Sequence, residues 1–148
     1  MKKNTIRVML TFAAFAIASA TTSSFAIGQK ARASELAGTS WKLVKLQTGD
    51  EATHVPTDGS KYTITFGSNG RVSARVDCNR GGSSWRSSGP NQLQFGSWSM
   101  TRAKCPPGSL HDLIVTEGAN PRSYEIKNGR LFLSGMSAGG YYELERLR

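Results

Sequence analysis

The sequence predicts an α+β fold, mostly β, in which an antiparallel sheet curls over on itself. Two runs of clean apolar–polar alternation, Tyr62–Phe66 and Arg71–Asp77, are separated only by Gly67-Ser68-Asn69-Gly70. Two more, Ser123–Lys127 and Arg130–Ser134, flank Asn128-Gly129, the preferred pair for a tight hairpin turn. Only Ser109 to Gly118 carries a convincing helical pattern after the first 26 residues. Strands on both sides of one short helix, with little else to cover them, imply a sheet that curls.

The chain has 148 residues, enough for one ordinary domain. Lys2, Lys3 and Arg7 open it, the apolar run Val8–Ala20 follows, and Ser24-Phe25-Ala26 offers small residues for cleavage. Residues 1–26 therefore read as a signal peptide, and their apolar stretch is short for a membrane span. No cysteine follows that stretch to carry a lipid. The expectation is a periplasmic or secreted protein with no stable membrane span after processing. Removing residues 1–26 leaves sixteen basic and ten acidic side chains, a net charge of +6. Such a balance favours anionic envelope surfaces, or serves solubility alone. In an oxidising compartment Cys78 and Cys105, the only cysteines, are expected to form a structural disulfide. Their wide spacing argues against a redox-active pair.

Residues 27–35 form a polar and alanine-rich linker, and the folded domain is expected over 36–148. Gly38–Leu46 reads as the first strand. Lys42 and Lys45 should both face water yet fall on opposite faces of an ideal strand, which a bulge or an edge position would resolve. Gln47–Ser60 is a loop. A three-residue loop, Ser68-Asn69-Gly70, sets Phe66 against Val72, Ile64 against Ala74 and Tyr62 against Val76, with Gly70 left-handed. Arg71, Ser73, Arg75 and Asp77 then point outward. Asn79–Asn91, rich in glycine and serine, is a long turn or a strand around Trp85 flanked by turns. Gln92–Thr101 reads as a strand that changes phase near Gly96, since Leu93 and Phe95 share one face and Trp98 and Met100 the other.

Pro106-Pro107-Gly108 stops that strand. Ser109 is the expected N-cap of the helix, Asp112 completes a capping-box-like pair, and Leu110, Leu113 and Ile114 form its apolar face. In the last hairpin Ile126 should meet Leu131 and Tyr124 should meet Leu133 across a type I′ turn. Tyr141–Glu145 is the final strand.

Gly38-Thr39-Ser40-Trp41 with Leu43-Val44, Tyr62–Phe66 with Gly70, Cys78-Asn79, Leu93-Gln94-Phe95-Gly96, Thr101-Arg102, Cys105-Pro106, Leu131–Ser134 and Tyr142-Glu143-Leu144 together resemble the META domain family, the HslJ-like heat-shock proteins of bacteria. The resemblance runs from Leu36 to about Leu147. It implies a small, partly open antiparallel barrel with one helix, an envelope location and links to stress tolerance. It implies no enzymatic activity and no cofactor. Many relatives are lipoproteins, whereas this chain lacks the anchoring cysteine; Asp77 and Lys104 also depart from the residues common at those positions.

The chemistry-bearing residues point the same way. His54 and His111, the only histidines, lie on separate elements, too few and too far apart for a metal site. His111 and Asp112 are adjacent on a helix, about 100° apart, and are not expected to face each other. Gly81-Gly82 and Gly139-Gly140 read as turns. Trp41, Trp85 and Trp98 are candidates for lining an apolar groove, core packing being the expected role of Trp41 and Trp98. The basic side chains are scattered, without the basic face and stacking aromatics that nucleic acid would need. Arg71 and Arg75 form one stripe, and Arg80 and Arg102 would join it if the disulfide draws Thr101–Cys105 toward Cys78. The expected function is that of a non-enzymatic exported envelope protein, monomeric, stress-related, binding a protein partner or an amphipathic or anionic ligand. The alternative is an exported inhibitor of a hydrolase, for which a basic target such as lysozyme would be electrostatically unfavourable.

Overall fold

The computed structural model describes residues 35–136 and 138–148. The expected signal peptide, and the expected linker up to residue 34, lie outside them. Among the described residues the strands are β1 (Thr39–Gln47), β2 (Thr53–His54), β3 (Tyr62–Phe66), β4 (Arg71–Val76), β5 (Asn79–Arg86), β6 (Gln94–Phe95), β7 (Ser99–Met100), β8 (Ser123–Lys127), β9 (Arg130–Ser134) and β10 (Tyr141–Arg146). One α-helix, α1 (His111–Glu117), interrupts them. All pairings are antiparallel, in the order β6-β5-β4-β3-β1-β10-β9-β8, with β2 added to β1 and β7 to β5. The two ends of this sheet approach each other. Leu93 N–H donates to the Arg122 carbonyl and Tyr124 N–H to that of Asn91, each at 2.9 Å, around a bridge between Gln92 and Ser123. The ladder between the ends stops there, so the sheet is nearly a barrel with an unsealed seam.

β1 lies between β3 and β10, so it is no edge strand; a bulge between Leu43 and Lys45 resolves its lysines. The extra residue turns both to the outer surface, where Lys42 Nζ sits 2.8 Å from Glu145 and Lys45 Nζ 3.4 Å from Glu143. The Lys42 ammonium holds the Glu145 carboxyl below its ordinary range. Both hairpins follow the face-matching argument. Phe66 pairs with Val72, Ile64 with Ala74 and Tyr62 with Val76, and Gly70 has φ +75°. Ile126 pairs with Leu131 and Tyr124 with Leu133, across Asn128 and Gly129 at φ 53° and 74°.

The middle of the chain departs from expectation. Of the two readings of Asn79–Asn91 the strand around Trp85 holds, but it is longer than expected, running over Asn79–Arg86 and pairing with β4 from Asn79 to Ser84. Gly81 and Gly82 are therefore strand residues. A Cβ on Gly81 would fall 2.3 Å from the Met100 side chain and 2.4 Å from the Ser99 carbonyl, so glycine lets β7 lie close. The turn is Asp77-Cys78 instead. Asp77 takes φ 55° and is buried, so it leaves the outward face of β4. The expected strand Gln92–Thr101 is two short pieces, β6 and β7, broken at Gly96.

The helix also begins later than its sequence pattern suggests. Leu110 occupies the N-cap position, and no side chain caps from there. Ser109 Oγ accepts from His111 N–H at 3.1 Å, and the hydroxyl of Tyr62, on β3, accepts from Leu110 N–H at 2.9 Å. Ser109 thus still caps a helical N–H, and a tertiary acceptor serves the residue before it. Leu110, Leu113 and Ile114 pack against the core as expected.

That core gathers the inward faces of the strands, among them Trp41, Leu43, Phe66, Leu131 and Leu144. Tyr142 joins it with one polar atom uncompensated: its buried hydroxyl has no hydrogen-bond partner among the described residues. The hydroxyl lies against Gly118, where an added Cβ would fall only 1.6 Å away. Burial pushes the phenol well above its ordinary value of 10.0. The folded group resists ionisation while the unfolded one does not, so stability is full below about pH 10 and declines above it. Tyr142→Phe should therefore gain about 1 kcal/mol at neutral pH by removing the unsatisfied group. It should also lose less stability than the parent above pH 10. Urea titrations of both proteins at neutral and alkaline pH check this; a variant that falls as steeply as the parent would refute it.

Candidate functional site

The tied stretch forecast around the two cysteines is a strap, residues 101–105, laid beside the start of β5. Cys78 and Cys105 are joined by a disulfide, their Cα atoms 5.5 Å apart. A second fastening lies beside it. Asn79 is fully buried, and its side chain is devoted to the strap. Its Oδ1 accepts from Ala103 N–H at 2.7 Å and from the Thr101 hydroxyl at 2.9 Å, and its Nδ2 donates to the Ala103 carbonyl at 2.9 Å. Nδ2 also lies 3.5 and 3.4 Å from the two sulfurs. The Thr101 hydroxyl in turn accepts from Arg80 N–H at 3.0 Å, while Thr101 N–H donates to the Arg80 carbonyl.

This fastening brings three of the four arginines together. Arg75 and Arg80 are directly opposite one another on β4 and β5, hence on one face of the sheet. Arg102 follows Thr101, the residue bonded to Arg80. Arg71 shares the face but lies two pleat repeats along β4, opposite Ser84, about 13 Å away. Arg71, Arg80 and Arg102 are exposed and Arg75 is half-buried. Arg75 Nε donates to the main-chain carbonyl of Asp77 at 3.0 Å, whereas the Asp77 carboxylate faces Lys61 Nζ at 4.0 Å. Among the described residues none of the four arginines has a carboxylate within ion-pair distance.

Beside the strap the sheet opens into a cavity of about 1290 Å³. Its walls are inward-facing strand residues such as Ile64, Ala74 and Leu144, together with Trp98 and Met100 before the strap and Ile114 on α1. Arg75, Arg102 and Lys104 also line it, with Asp112 the one acid. Of the three tryptophans only Trp98 reaches this cavity, half-buried with its ring 5.4 Å from that of Phe95. Trp41 is in the core as expected, its indole N–H donating to the Thr39 hydroxyl. Trp85 is buried edge-on against Phe66. His111 and Asp112 do meet, contrary to the helical-wheel argument: Nδ1 and Oδ1 are 2.8 Å apart. In the first helical turn the carboxylate can swing back beside the preceding ring, and that of Asp112 is otherwise open to water at 99% exposure. The described residues hold no group of three or more His, Cys, Asp or Glu side chains able to share a metal ion. No described helix is long and apolar enough to cross a membrane.

Sequence reasoning named the arginines and the cysteines, but it gave Asn79 no role. Its only trace was its place beside Cys78 in a recurrent dipeptide. The cavity had no signal of its own, because it exists only where separate strand faces converge.

The sequence model of the META domain matches residues 34–146. Two solved structures are similar in fold. An NMR structure of a protein from Burkholderia xenovorans is 21% identical, covers 95% of this chain and 99% of its own, and superposes with a TM-score of 0.60. A crystal structure of a DUF4847 family protein from Bacteroides vulgatus is 12% identical, covers 74% of this chain and 93% of its own, with a TM-score of 0.53. Comparison with curated proteins finds no match.

Proposed function

The chain belongs to the META domain family, and from that premise we propose that it is an exported envelope protein with a stress-related role that works by binding, without turnover, at an anionic surface. One observation carries the reading: Arg75 and Arg80 oppose each other on one sheet face, with Arg102 beside them and, among the described residues, no carboxylate within ion-pair distance of any of the three. Like charges directly across a pair of strands are unfavourable in isolation. A polyanionic surface removes that cost, and each cation near it contributes about 1 kcal/mol at low salt.

Vesicles containing phosphatidylglycerol test this. The protein should bind them at low ionic strength, release them as salt approaches the physiological range, and ignore phosphatidylcholine vesicles. Arg71→Glu with Arg80→Glu should weaken binding at least about tenfold while leaving the fold intact, since both side chains are exposed. A double variant that binds as well as the parent would leave the arginines as an ordinary solvated face.

A further inference from the structure

We propose that the cavity beside the strap is a binding site for a single-chain anionic amphiphile, its alkyl chain inside and its acidic head at the cationic rim. This goes beyond surface adsorption, and it uses the inside of the sheet rather than its outer face. The walls are apolar but unfinished. Ile64, Trp98, Met100 and Ile114 pack against the core yet are only partly buried, and all four line the cavity. Val115, which also lines it, is 48% exposed, one of three large apolar side chains so exposed among the described residues. Apolar surface left open at this scale is what an alkyl chain would cover. At about 1290 Å³ the cavity is larger than most small-molecule sites, which leaves room for such a chain.

The charge at the opening selects the head group. Arg75, Arg102 and Lys104 face a lone carboxylate, Asp112, which is already held by His111. A carboxylate, sulfate or phosphate head would find three cations against one carboxylate. An extended peptide fits less well, because it would need main-chain partners. Three of the strap's main-chain groups are already taken: Thr101 N–H goes to Arg80, and both main-chain groups of Ala103 go to Asn79.

Octanoate, decanoate and dodecanoate, each kept below its micelle concentration and titrated by calorimetry, read this site directly. Affinity should rise about fourfold per added methylene, as expected for a chain leaving water. Octyl glucoside should bind more weakly than the carboxylate of equal chain length. Ala74→Phe fills the cavity from within and should abolish binding. Val115→Asp, at an exposed position that does not endanger folding, should weaken it about tenfold by setting a like charge beside the head. Arg71→Glu with Arg80→Glu should lose vesicles yet keep dodecanoate, since neither residue lines the cavity. Affinity independent of chain length, unchanged binding in Val115→Asp, or loss of dodecanoate together with vesicles would each overturn the proposal.

Discussion

Asn79→Ala is expected to destabilise the domain by about 2–4 kcal/mol, a large effect for one polar substitution. The loss is not that of one hydrogen bond. Asn79 is fully buried, and the truncation strands both main-chain groups of Ala103 and the Thr101 hydroxyl beside an apolar methyl. Each of the three lost bonds is worth about 0.5–1.5 kcal/mol, because Thr101 and Ala103 are exposed and water takes over part of what Asn79 supplied. Asn79→Asp keeps the acceptor but loses the donor and buries a charge, so it should be no better. Denaturant midpoints measured at constant slope settle the matter. A loss under about 1 kcal/mol would mean that water reaches the strap and that Asn79 does not hold it.

Replacing both Cys78 and Cys105 with alanine should cost about 3–4 kcal/mol, the chain-entropy value for a closed loop of this length. The two losses should not add. Asn79 and the disulfide fasten the same strap, and once either is gone the other restrains a segment already loosened. The triple variant should therefore fall short of the sum by at least about 1 kcal/mol. Simple additivity would show that the strap is held elsewhere.

Where a segment's conformation is set by its own faces, the sequence was readable. Phe66 against Val72 and Ile126 against Leu131 follow from matching apolar with apolar, and the turns between are dictated by Gly70 and by Asn128-Gly129. The lysines of β1 demanded a bulge or an edge, and the bulge is found. Residues whose role is set by a distant neighbour were misread. Gly81 looked like a turn residue because nothing in its vicinity announces the approach of Met100. Asp77 looked outward because strand alternation carried one residue too far. The approach of Arg102 to Arg80 and Arg75 was anticipated through the disulfide that draws the strap in, whereas Arg71, expected in the same stripe, stands apart. The cavity between strap, helix and sheet belongs to no single segment and could not be read from any.

The pairing of β1 with β10 bears on how the chain reaches this state. Trp41 aligns with Arg146 and Gln47 with Tyr141, so the first long strand of the domain is completed by the last. A nascent chain can form the hairpin of β3 and β4 early, because its contacts are local. The inner flank of β1 stays open until the C-terminal segment arrives, and closure must then bridge almost the whole domain in one step. Completion of the sheet thereby waits for β10, and the exposed edge of β1 is the surface that a chaperone would have to shield in the interval.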